Sequence, residues 1–531
     1  MAKTVSPAEL RAMLRDGGEM ALLDVREEGD FSETGHLFFA NSMPLSRLEL
    51  VMRDQVPRPA TRIVVCDAGE GDLAGRAAAK LAAMGYGDVA ILAGGARAWA
   101  AAGFELFTGV NVPSKAFGEL VEHRCGTPHI PASELKKRLD AGEDVLIVDS
   151  RPIGEFRNMS IPGAFDCPGA ELVYRVPDRV PSADTLVVVN CAGRTRSIIG
   201  AQSLRNAGLP NQVLALENGT MGWELAGLEL ARGHEESLPP PSPAGLARAR
   251  GLADAVAERF SLVRIDDTAF ARLKAAAGER TLYVFDVRSP EEYAAGHLAG
   301  SRSAPGGQLV QATDVYMATR NARIVLVDDD GVRGVMTGSW LAQMGWPEIF
   351  VLSGSLAGKP LEKGVPASFV PELDKAKAAK IAPAELKTLL DRGEAVVVDL
   401  APSLSYEAGH IPGAWFAVRA RLPGSLANVP KRRMLVLTST DARLARLAAA
   451  ELGDAGFAEI RVLEGGTAAW QAAGLPLTKD REAMADTPDD CWRRPYDPYA
   501  GPGARERYLK WEIELVHQME REGDLGFHVP A

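Results

Sequence analysis

The sequence Val187-Val-Val-Asn-Cys-Ala-Gly-Arg-Thr-Arg-Ser197 joins an apolar, β-branched run to a short polar loop and then to a helix start. β-Branched residues favour a strand, and Gly193 gives the loop the backbone freedom to turn. Apolar residues then recur at helical spacing from Ile198 onward. We therefore predict a strand, a tight loop that begins at Cys191, and a helix.

Cys191 stands where the predicted strand ends and the helix approaches. Unpaired backbone N–H groups and the positive end of the helix dipole favour negative charge there, and Arg194 and Arg196 add positive charge. We expect the pKa of Cys191 to lie below that of a free cysteine and its thiolate to be nucleophilic at neutral pH. The alternative is a buried strand-end cysteine beside two solvated arginines.

The same succession of elements occurs four times along the chain. An apolar strand ends in Asp24, Asp149, Asp286 and Asp399. Each aspartate is followed by a Gly-His turn or its substitute, a second apolar strand, a helix, and a last strand; in three of the copies that last strand leads to a glycine turn and a tryptophan-bearing helix. Alternating strands and helices predict an α/β fold of four domains, each a mostly parallel sheet with helices on both faces, and any site lies at the strand C-terminal ends.

Composition shifts suggest the domain boundaries. The proline-rich run from His234 to Pro243 is the clearest linker and divides the copies into two sequential pairs. A C-terminal amphipathic helix, with Tyr508, Trp511, Leu515 and Met519 on one face, is expected to dock on its own protein. The expected ranges are domain 1 at 1–107, a linker at 108–129, domain 2 at 130–233, a linker and helix at 234–260, domain 3 at 261–366, domain 4 at 367–478, and the helical tail at 479–531.

Three recurring motifs resemble those of the rhodanese family of sulfurtransferases. They are the Asp-Val-Arg strand end with its Gly-His-(Ile/Leu)-Pro-Gly-Ala turn, the Leu-x-Gly-Gly-x-x-x-Trp segment, and the loop Cys191-Ala-Gly-Arg-Thr-Arg196, which is similar to the family's six-residue active-site loop. The resemblance covers almost the whole chain. It implies that a cysteine takes a sulfane sulfur from a donor as a persulfide and passes it to a thiophilic acceptor such as cyanide or a thiol.

The resemblance assigns roles to the residues of the loop. Cys191 is the expected sulfur carrier, and the expected substrate-binding residues are Arg194, Arg196, Ala192, Gly193, Thr195 and Ser197. The arginines suit the sulfonate of thiosulfate or the carboxylate of mercaptopyruvate, and the loop N–H groups suit a persulfide anion. Asp149, Arg151 and Arg157 are candidates for a layer behind the site, although the recurrence of Asp149 in copies without a nucleophile favours a structural ion pair.

The other three copies lack a cysteine at the matching position. Alignment places Asp67, Asp328 and Ser439 there in domains 1, 3 and 4, and Cys66 falls one residue early in an acidic loop. An acidic loop raises the pKa of a thiol. We therefore expect one active domain and three that serve as scaffold.

Several alternatives remain at this point. Thiosulfate is the preferred donor. 3-Mercaptopyruvate is kept as the alternative, because Ala192 and Gly193 stand where thiosulfate-selective relatives commonly have a basic residue after the cysteine. A phosphatase loop needs an arginine six residues after the cysteine, where Ser197 stands, and phosphoryl transfer is therefore disfavoured. A non-catalytic scaffold that docks sulfur-relay proteins is the third hypothesis.

Composition limits the other classes of function. The 531 residues carry a formal net charge of −11, which argues against binding to nucleic acid or to an anionic membrane. Five cysteines show neither zinc-site spacing nor a disulfide framework, and the N-terminus lacks an apolar signal core. We expect a cytoplasmic enzyme without metal or cofactor, whose partners are a small sulfur donor, an acceptor, and a sulfur-relay protein as a further candidate.

Overall fold

The computed structural model describes residues 3–180, 182–354, 356–453, 456–479, 481, 483–497, 499–523 and 525–530. Within them the chain forms four mostly parallel sheets with helices packed against them, and a C-terminal helix. We number the four units domains 1 to 4 in chain order. The predicted α/β class and the helical tail are confirmed.

The strands are two to five residues long and fall into four sets. Domain 1 contains β1 Lys3–Val5, β2 Met20–Asp24, β3 Asn41–Ser42, β4 Arg62–Cys66 and β5 Val89–Leu92. Domain 2 contains β6 His129–Ile130, β7 Val145–Asp149, β8 Phe165–Asp166, β9 Leu186–Asn190 and β10 Val213–Leu216. Domain 3 contains β11 Val263–Ile265, β12 Leu282–Asp286, β13 His297–Leu298, β14 Arg302–Ser303, β15 Thr319–Arg320, β16 Arg323–Val327, β17 Glu348–Leu352 and β18 Leu361–Glu362. Domain 4 contains β19 Lys380–Ile381, β20 Ala395–Asp399, β21 Trp415–Phe416, β22 Met434–Thr438 and β23 Glu459–Leu463.

The helices follow the same division. Domain 1 has α1 Pro7–Arg15, α2 Glu28–Thr34, α3 Leu48–Gln55, α4 Leu73–Ala83 and α5 Gly95–Ala101, and α6 Val112–Cys125 leads to domain 2. Domain 2 has α7 Ala132–Asp140, α8 Ile153–Asn158, α9 Leu172–Arg175, α10 Thr195–Asn206 and α11 Gly219–Leu225, and α12 Pro243–Arg259 leads to domain 3. Domain 3 has α13 Asp267–Ala275, α14 Pro290–Ala295, α15 Gly306–Gln311, α16 Thr313–Tyr316 and α17 Arg333–Gln343, and α18 Glu372–Lys375 leads to domain 4. Domain 4 has α19 Pro383–Asp391, α20 Ser403–Ala408, α21 Arg443–Glu451 and α22 Gly466–Ala472, and the tail ends in α23 Ala504–Glu522.

The sheet of domain 2 shows how the fold positions the loop at Cys191. Its strand order is β6-β10-β9-β7-β8, with every pair parallel. The register aligns Asp149 with Asn190, so Cys191 leaves the sheet at its C-terminal edge. Val187 and Val188 belong to two different hydrophobic clusters, and both faces of this sheet are therefore covered.

The domains do not associate in the sequential pairs that the linker suggested. One hydrophobic cluster unites domain 1 with domain 4, for example through Val65 and Val397. A second cluster unites domain 2 with domain 3, since it contains Val187 of β9, Ala253 of α12 and Val335 of α17. In addition, β15 of domain 3 pairs antiparallel with β2 of domain 1. The prediction of two sequential pairs is wrong: the segment after the proline-rich run folds into α12, whose buried face, with Ala249, Ala253 and Val256, joins the cluster that domains 2 and 3 share.

None of the described helices combines the length and the apolar character needed to cross a bilayer.

Candidate active site

Cys191 is the first residue after β9, and α10 begins four residues later at Thr195. The intervening loop is held from behind by the N-terminus of α11. Thr220 N–H donates to the carbonyl of Cys191 at 2.9 Å, and Met221 N–H donates to that of Ala192 at 3.1 Å. Gly219 (φ +57°) allows this approach, because a Cβ there would lie 2.3 Å from the Cys191 carbonyl oxygen. The loop carbonyls are thus occupied on the side of α11.

The N–H groups of the loop are available to an anion. Those of Ala192, Gly193 and Arg194 donate no hydrogen bond to any residue that the structure describes. The Cys191 Sγ lies 3.6 Å from Ser197 Oγ, and Ser197 Oγ donates to the Arg194 carbonyl at 2.8 Å. Unpaired N–H groups at a helix N-terminus form an anion-binding concavity. The unpaired N–H groups of Ala192 and Gly193 support the predicted substrate-binding role of these two residues, whereas the hydroxyls of Thr195 and Ser197 donate to Glu512 and to the Arg194 carbonyl.

The same loop position in domains 1 and 3 holds a carboxylate. Asp67 follows β4 directly and accepts hydrogen bonds from the N–H groups of Gly69 and Ala74 at 2.8 and 3.0 Å. Asp328 follows β16 and accepts from Gly331 and Gly334 at 3.1 and 2.8 Å. These two loops bind an anion that the chain itself supplies.

Strand register also settles the alignment of the other copies. Cys66 pairs with Asp24 as Asn190 pairs with Asp149, so Cys66 corresponds to Asn190 and not to Cys191. Burial raises the pKa of the Cys66 thiol well above its usual value, and the Asp24 carboxylate raises it further. In domain 4, Ser439 follows β22 and is buried.

The expectation of a lowered thiol pKa at Cys191 is wrong for this structure. Cys191 is only 2% exposed, and its burial raises the pKa of the thiol. Arg196 and the Ser197 hydroxyl and N–H act in the opposite direction, and the Glu512 carboxyl of α23 raises the pKa further. The sequence reasoning counted the helix terminus and the arginines but neither the burial nor a carboxyl that arrives from the tail.

Arg194 is engaged away from the cavity. Its guanidinium donates two hydrogen bonds of 2.8 Å to Glu119 of α6 and also pairs with Glu122. Helix α6 comes this close because Gly118 packs against Thr195, where a Cβ would lie 2.7 Å from Thr195 Cγ2. The segment 108–129, expected to be a linker, thus contains a helix that fixes the loop.

Arg196 lines a cavity that is also lined by Ala192, the residue after Cys191. It donates two hydrogen bonds to Glu155 of α8, at 2.9 and 2.8 Å, and one of 3.3 Å to Gln308 of α15. Burial opposes the charge on Arg196, but the Glu155 carboxylate more than compensates and raises the pKa of the guanidinium. Burial likewise opposes the charge on Glu155, yet Arg196 lowers the pKa of that carboxyl to about 2. Arg196 is therefore a fixed cation in the cavity wall.

The residues predicted behind the site separate into two groups. Asp149 and Arg151 are fully buried and form a bidentate ion pair at 2.8 Å, and Asn190 Nδ2 donates to Asp149 at 2.6 Å. Asp24 with Arg26 and Asp286 with Arg288 repeat this pair in domains 1 and 3, which favours the structural interpretation. Arg157 is about half exposed and pairs with Glu235 at the surface, away from the cavity.

A cavity of about 770 Å³ opens in front of the loop where all four domains and the tail meet. The residues lining it include Ala192, Arg196 and Glu155 of domain 2, Gln308 of domain 3, Glu407 of domain 4, Lys115 of α6, and Trp492, Arg494, Tyr496 and Tyr508 of the tail. Sequence reasoning missed Lys115 and the role of the tail in this wall. The predicted amphipathic face of α23 was the available signal: Leu515 and Met519 dock against Phe107 and Val112 as expected, and this docking places Tyr508 and Glu512 beside the loop.

Glu512 reaches the loop directly. Its Oε1 accepts hydrogen bonds from Thr195 Oγ1 at 3.3 Å and from Tyr508 OH at 2.9 Å, whereas its Oε2 is buried without a partner among the described residues. A Cβ on Gly193 would lie 3.1 Å from that oxygen. Burial raises the pKa of the Glu512 carboxyl, so the tail adds a titratable group to the surroundings of Cys191.

Comparisons with known proteins agree with the fold and with the repeats. The rhodanese-like domain family matches residues 6–102, 131–226, 269–358 and 382–473. A crystal structure of a thiosulfate sulfurtransferase from Pseudomonas aeruginosa superposes with a TM-score of 0.94 at 47% sequence identity and covers 99% of both chains. The thiosulfate sulfurtransferase GlpE of Pseudoalteromonas translucida is 29% identical over 90 residues, which are 17% of this chain and 86% of that protein.

A further relative is the HTH-type transcriptional regulator Rv0324 of Mycobacterium tuberculosis, which is 34% identical over 110 residues. That match spans 20% of this chain and 47% of the regulator, so this chain spans about half the length of that curated relative. The four matched segments together cover more than half of the chain, and each contains most of the strands of one of the four sheets. The chain therefore belongs to the rhodanese family and consists of four tandem rhodanese-like domains.

Proposed function

We propose that this protein is a sulfurtransferase that moves a sulfane sulfur from thiosulfate through a persulfide on Cys191 to a thiophilic acceptor such as cyanide or a thiol. One observation carries the proposal: Cys191 occupies the loop position at which domains 1 and 3 hold a carboxylate on backbone N–H groups, while its own loop leaves three N–H groups without a described partner. The similarity to the two thiosulfate sulfurtransferases supports the same donor.

The reaction has two displacement steps. In the first, the Cys191 thiolate attacks the outer sulfur of thiosulfate, the S–S bond to the sulfonate sulfur breaks, and sulfite leaves with the bonding electron pair. In the second, cyanide attacks the terminal sulfur of the persulfide, the new S–S bond breaks, and thiocyanate leaves while the Cys191 thiolate is regenerated. No external oxidant or reductant is needed, because the sulfane sulfur keeps its oxidation level in the transfer.

The loop stabilises the charged species in both steps. The N–H groups of Ala192, Gly193 and Arg194 suit the terminal persulfide anion, because fixed donors in a buried site stabilise charge without reorganisation. Arg196 faces the same cavity and attracts the anionic donor. Arg194, which was expected to bind the donor, instead forms ion pairs with Glu119 and Glu122 that anchor the loop to α6. The Cys191 thiol must lose its proton before it can react. Because its pKa is raised, we expect the bound donor or a base to promote this deprotonation.

3-Mercaptopyruvate is the second candidate donor, because the small residues Ala192 and Gly193 leave space beside the sulfur. A scaffold that docks a sulfur-relay protein through the three copies that lack a cysteine at the matching loop position is the alternative from another class. We place the protein in the cytoplasm, where a reducing environment keeps a thiol such as Cys191 available. The acceptor can be a small thiol or such a relay protein.

Peptide mass spectrometry tests the proposal. After incubation with thiosulfate, the Cys191 peptide is expected to gain the mass of one sulfur atom, and cyanide is expected to remove it. Cys191→Ala should lose thiosulfate:cyanide activity, whereas Cys66→Ala, a matched change of a buried strand cysteine, should keep it. A parallel incubation with 3-mercaptopyruvate separates the two donors. Absence of any gain with either donor would leave the scaffold as the better explanation.

A further inference from the structure

Lys115 is a buried lysine in the cavity wall. It lies in the first turns of α6, is 2% exposed, and lines the cavity together with Ala192 and Arg196. Its Nζ faces three aromatic rings of the tail, at 5.0 Å from the centroid of Trp492, 5.1 Å from Tyr508 and 4.7 Å from Trp511. Aromatic faces attract an ammonium group without supplying a hydrogen-bond acceptor or a counter-charge.

The ammonium group has no anionic partner among the described residues. The side chain takes part in no hydrogen bond with any described residue, and no carboxylate of the described chain comes within 4.0 Å of Nζ. The charged groups that face it from the packed elements are Glu512 of α23, Asp314 of α16 and Arg196 of α10. A buried ammonium without a partner is costly to hold, and this arrangement is therefore suited to an anion that arrives from the cavity.

Other cations of the cavity wall differ in this respect. Arg196 is bound to Glu155 by two hydrogen bonds. Lys479 and Arg494 are exposed and solvated. Arg194, which the sequence put forward as an anion binder, is bound to Glu119 and does not line the cavity. Among the described residues, Lys115 thus combines burial, access to the cavity and three free N–H donors.

We propose that Lys115 binds the anionic end of the sulfur donor, the sulfonate in the case of thiosulfate, and acts with Arg196 to hold the outer sulfur toward Cys191. This inference rests on the proposed function and adds a specificity-determining residue to it. The aromatic rings of Trp492, Tyr508 and Trp511 hold the lysine in place, so the C-terminal tail completes the donor site that the loop of domain 2 begins. An ammonium suits this task because it is a compact charge with three donors.

The assignment predicts a pH dependence of donor binding. Burial lowers the pKa of the Lys115 ammonium to about 8, although Glu512 and Asp314 act in the opposite direction. A lowered pKa means that the charge is present below about pH 8 and is lost above it. The KM for thiosulfate is therefore expected to rise as the pH passes through this range, while deprotonation of the thiol works in the opposite direction on kcat.

Binding measurements on Lys115→Met and Lys115→Arg test the proposal. Methionine keeps the length and apolar stem but removes the charge, so the KM for thiosulfate should rise at least about tenfold, as expected for the loss of a charge-assisted hydrogen bond. Lys115→Arg should restore part of the affinity. Lys137→Met, which removes an equal charge from a largely exposed position in domain 2, is the matched control and should keep the KM within about twofold.

Calorimetric binding of thiosulfate to the full chain carrying Cys191→Ser separates binding from chemistry. Addition of Lys115→Met should weaken this binding by the same factor, and thermal unfolding of the double variant verifies that it is folded. Unchanged affinity and KM in a folded Lys115→Met protein that still forms the Cys191 persulfide would overturn the inference and leave the proposed function intact. Failure of the wild-type protein to load sulfur from thiosulfate would instead overturn the proposed function.

Discussion

The Arg196 guanidinium donates two hydrogen bonds of 2.9 and 2.8 Å to the Glu155 carboxylate, and this pair ties α8 to the first turn of α10. Both side chains line the cavity. The bidentate geometry fixes the plane of the guanidinium as well as its position. Glu155 therefore determines where the positive charge of Arg196 faces an incoming anion.

Replacing Glu155 with alanine should impair the loading of sulfur more than its discharge. Arg196 would lose its orientation, so the KM for thiosulfate should rise about tenfold, in line with the loss of a charge-assisted pair. Single-turnover measurements separate the two half-reactions, and transfer from preformed persulfide to cyanide should stay within about twofold. Glu134→Ala, on the exposed side of the same domain, is the control. Equal losses in both half-reactions would point to general disruption of the loop instead.

A second prediction concerns the carboxyl that the tail brings to the loop. Glu512→Gln keeps an acceptor for Thr195 and Tyr508 but removes the negative charge that raises the pKa of Cys191. The pKa of the thiol should therefore fall. The pH dependence of alkylation of Cys191 measures this shift. Glu514→Gln changes an exposed residue of the same helix and should leave the profile in place, and a profile unmoved by Glu512→Gln would contradict the assigned influence.

The sequence predicted those features that depend on local pattern. The β-branched run before Cys191 forms β9, the loop opens α10 at Thr195, and Asp149 ends β7 beside it. Ser6 caps α1 in a capping box with Glu9, three residues further along the chain. These relationships involve residues that are close in the chain or repeated in every copy, and for that reason a single sequence contains them.

The features that the sequence failed to predict depend on contacts between segments that are far apart in the chain. Burial raises the pKa of Cys191, and Glu512, which lies more than 300 residues further along the chain, makes a smaller contribution in the same direction. Arg194 turns to Glu119 because α6, assigned to a linker, packs on α10. Lys115 gains its environment from three aromatic residues of the tail. A local sequence pattern cannot predict which basic side chains form ion pairs with carboxylates from distant segments in the folded protein.

A third prediction uses the close approach of α6 to α10. In Gly118→Ala the new Cβ would lie 2.7 Å from Thr195 Cγ2 and 3.2 Å from its Cα, so the loop must shift. Thiosulfate:cyanide activity should fall several-fold even though alanine favours the helix. Thr195→Ser removes the methyl group but keeps the hydroxyl that faces Glu512, and the double variant should recover part of the activity. Full activity of Gly118→Ala, or no recovery in the double variant, would argue against steric control of the loop.

A fourth prediction concerns the contact between domains 1 and 4. Arg419 is buried and donates hydrogen bonds of 2.9 and 2.8 Å to Glu49 of α3, and it also contacts Glu451 of α21 at 2.7 Å. The Glu49 side chain is 4% exposed, whereas that of Glu451 is 49% exposed. Removal of one member of a buried pair leaves an uncompensated charge and costs about 3 to 5 kcal/mol. An exposed pair contributes at most about 1 kcal/mol.

Glu49→Gln should therefore lower the thermal unfolding midpoint clearly, and Glu451→Gln should lower it little, although both variants remove a partner of the same arginine. Differential scanning calorimetry of the two full-length variants makes the comparison. Because this ion pair lies outside the cavity in front of Cys191, both variants should keep the wild-type KM for thiosulfate at temperatures where they are folded. Equal shifts in the two midpoints would mean that burial does not decide the strength of this contact, and a raised KM in Glu49→Gln would show that the packing of domains 1 and 4 reaches the sulfur-transfer site.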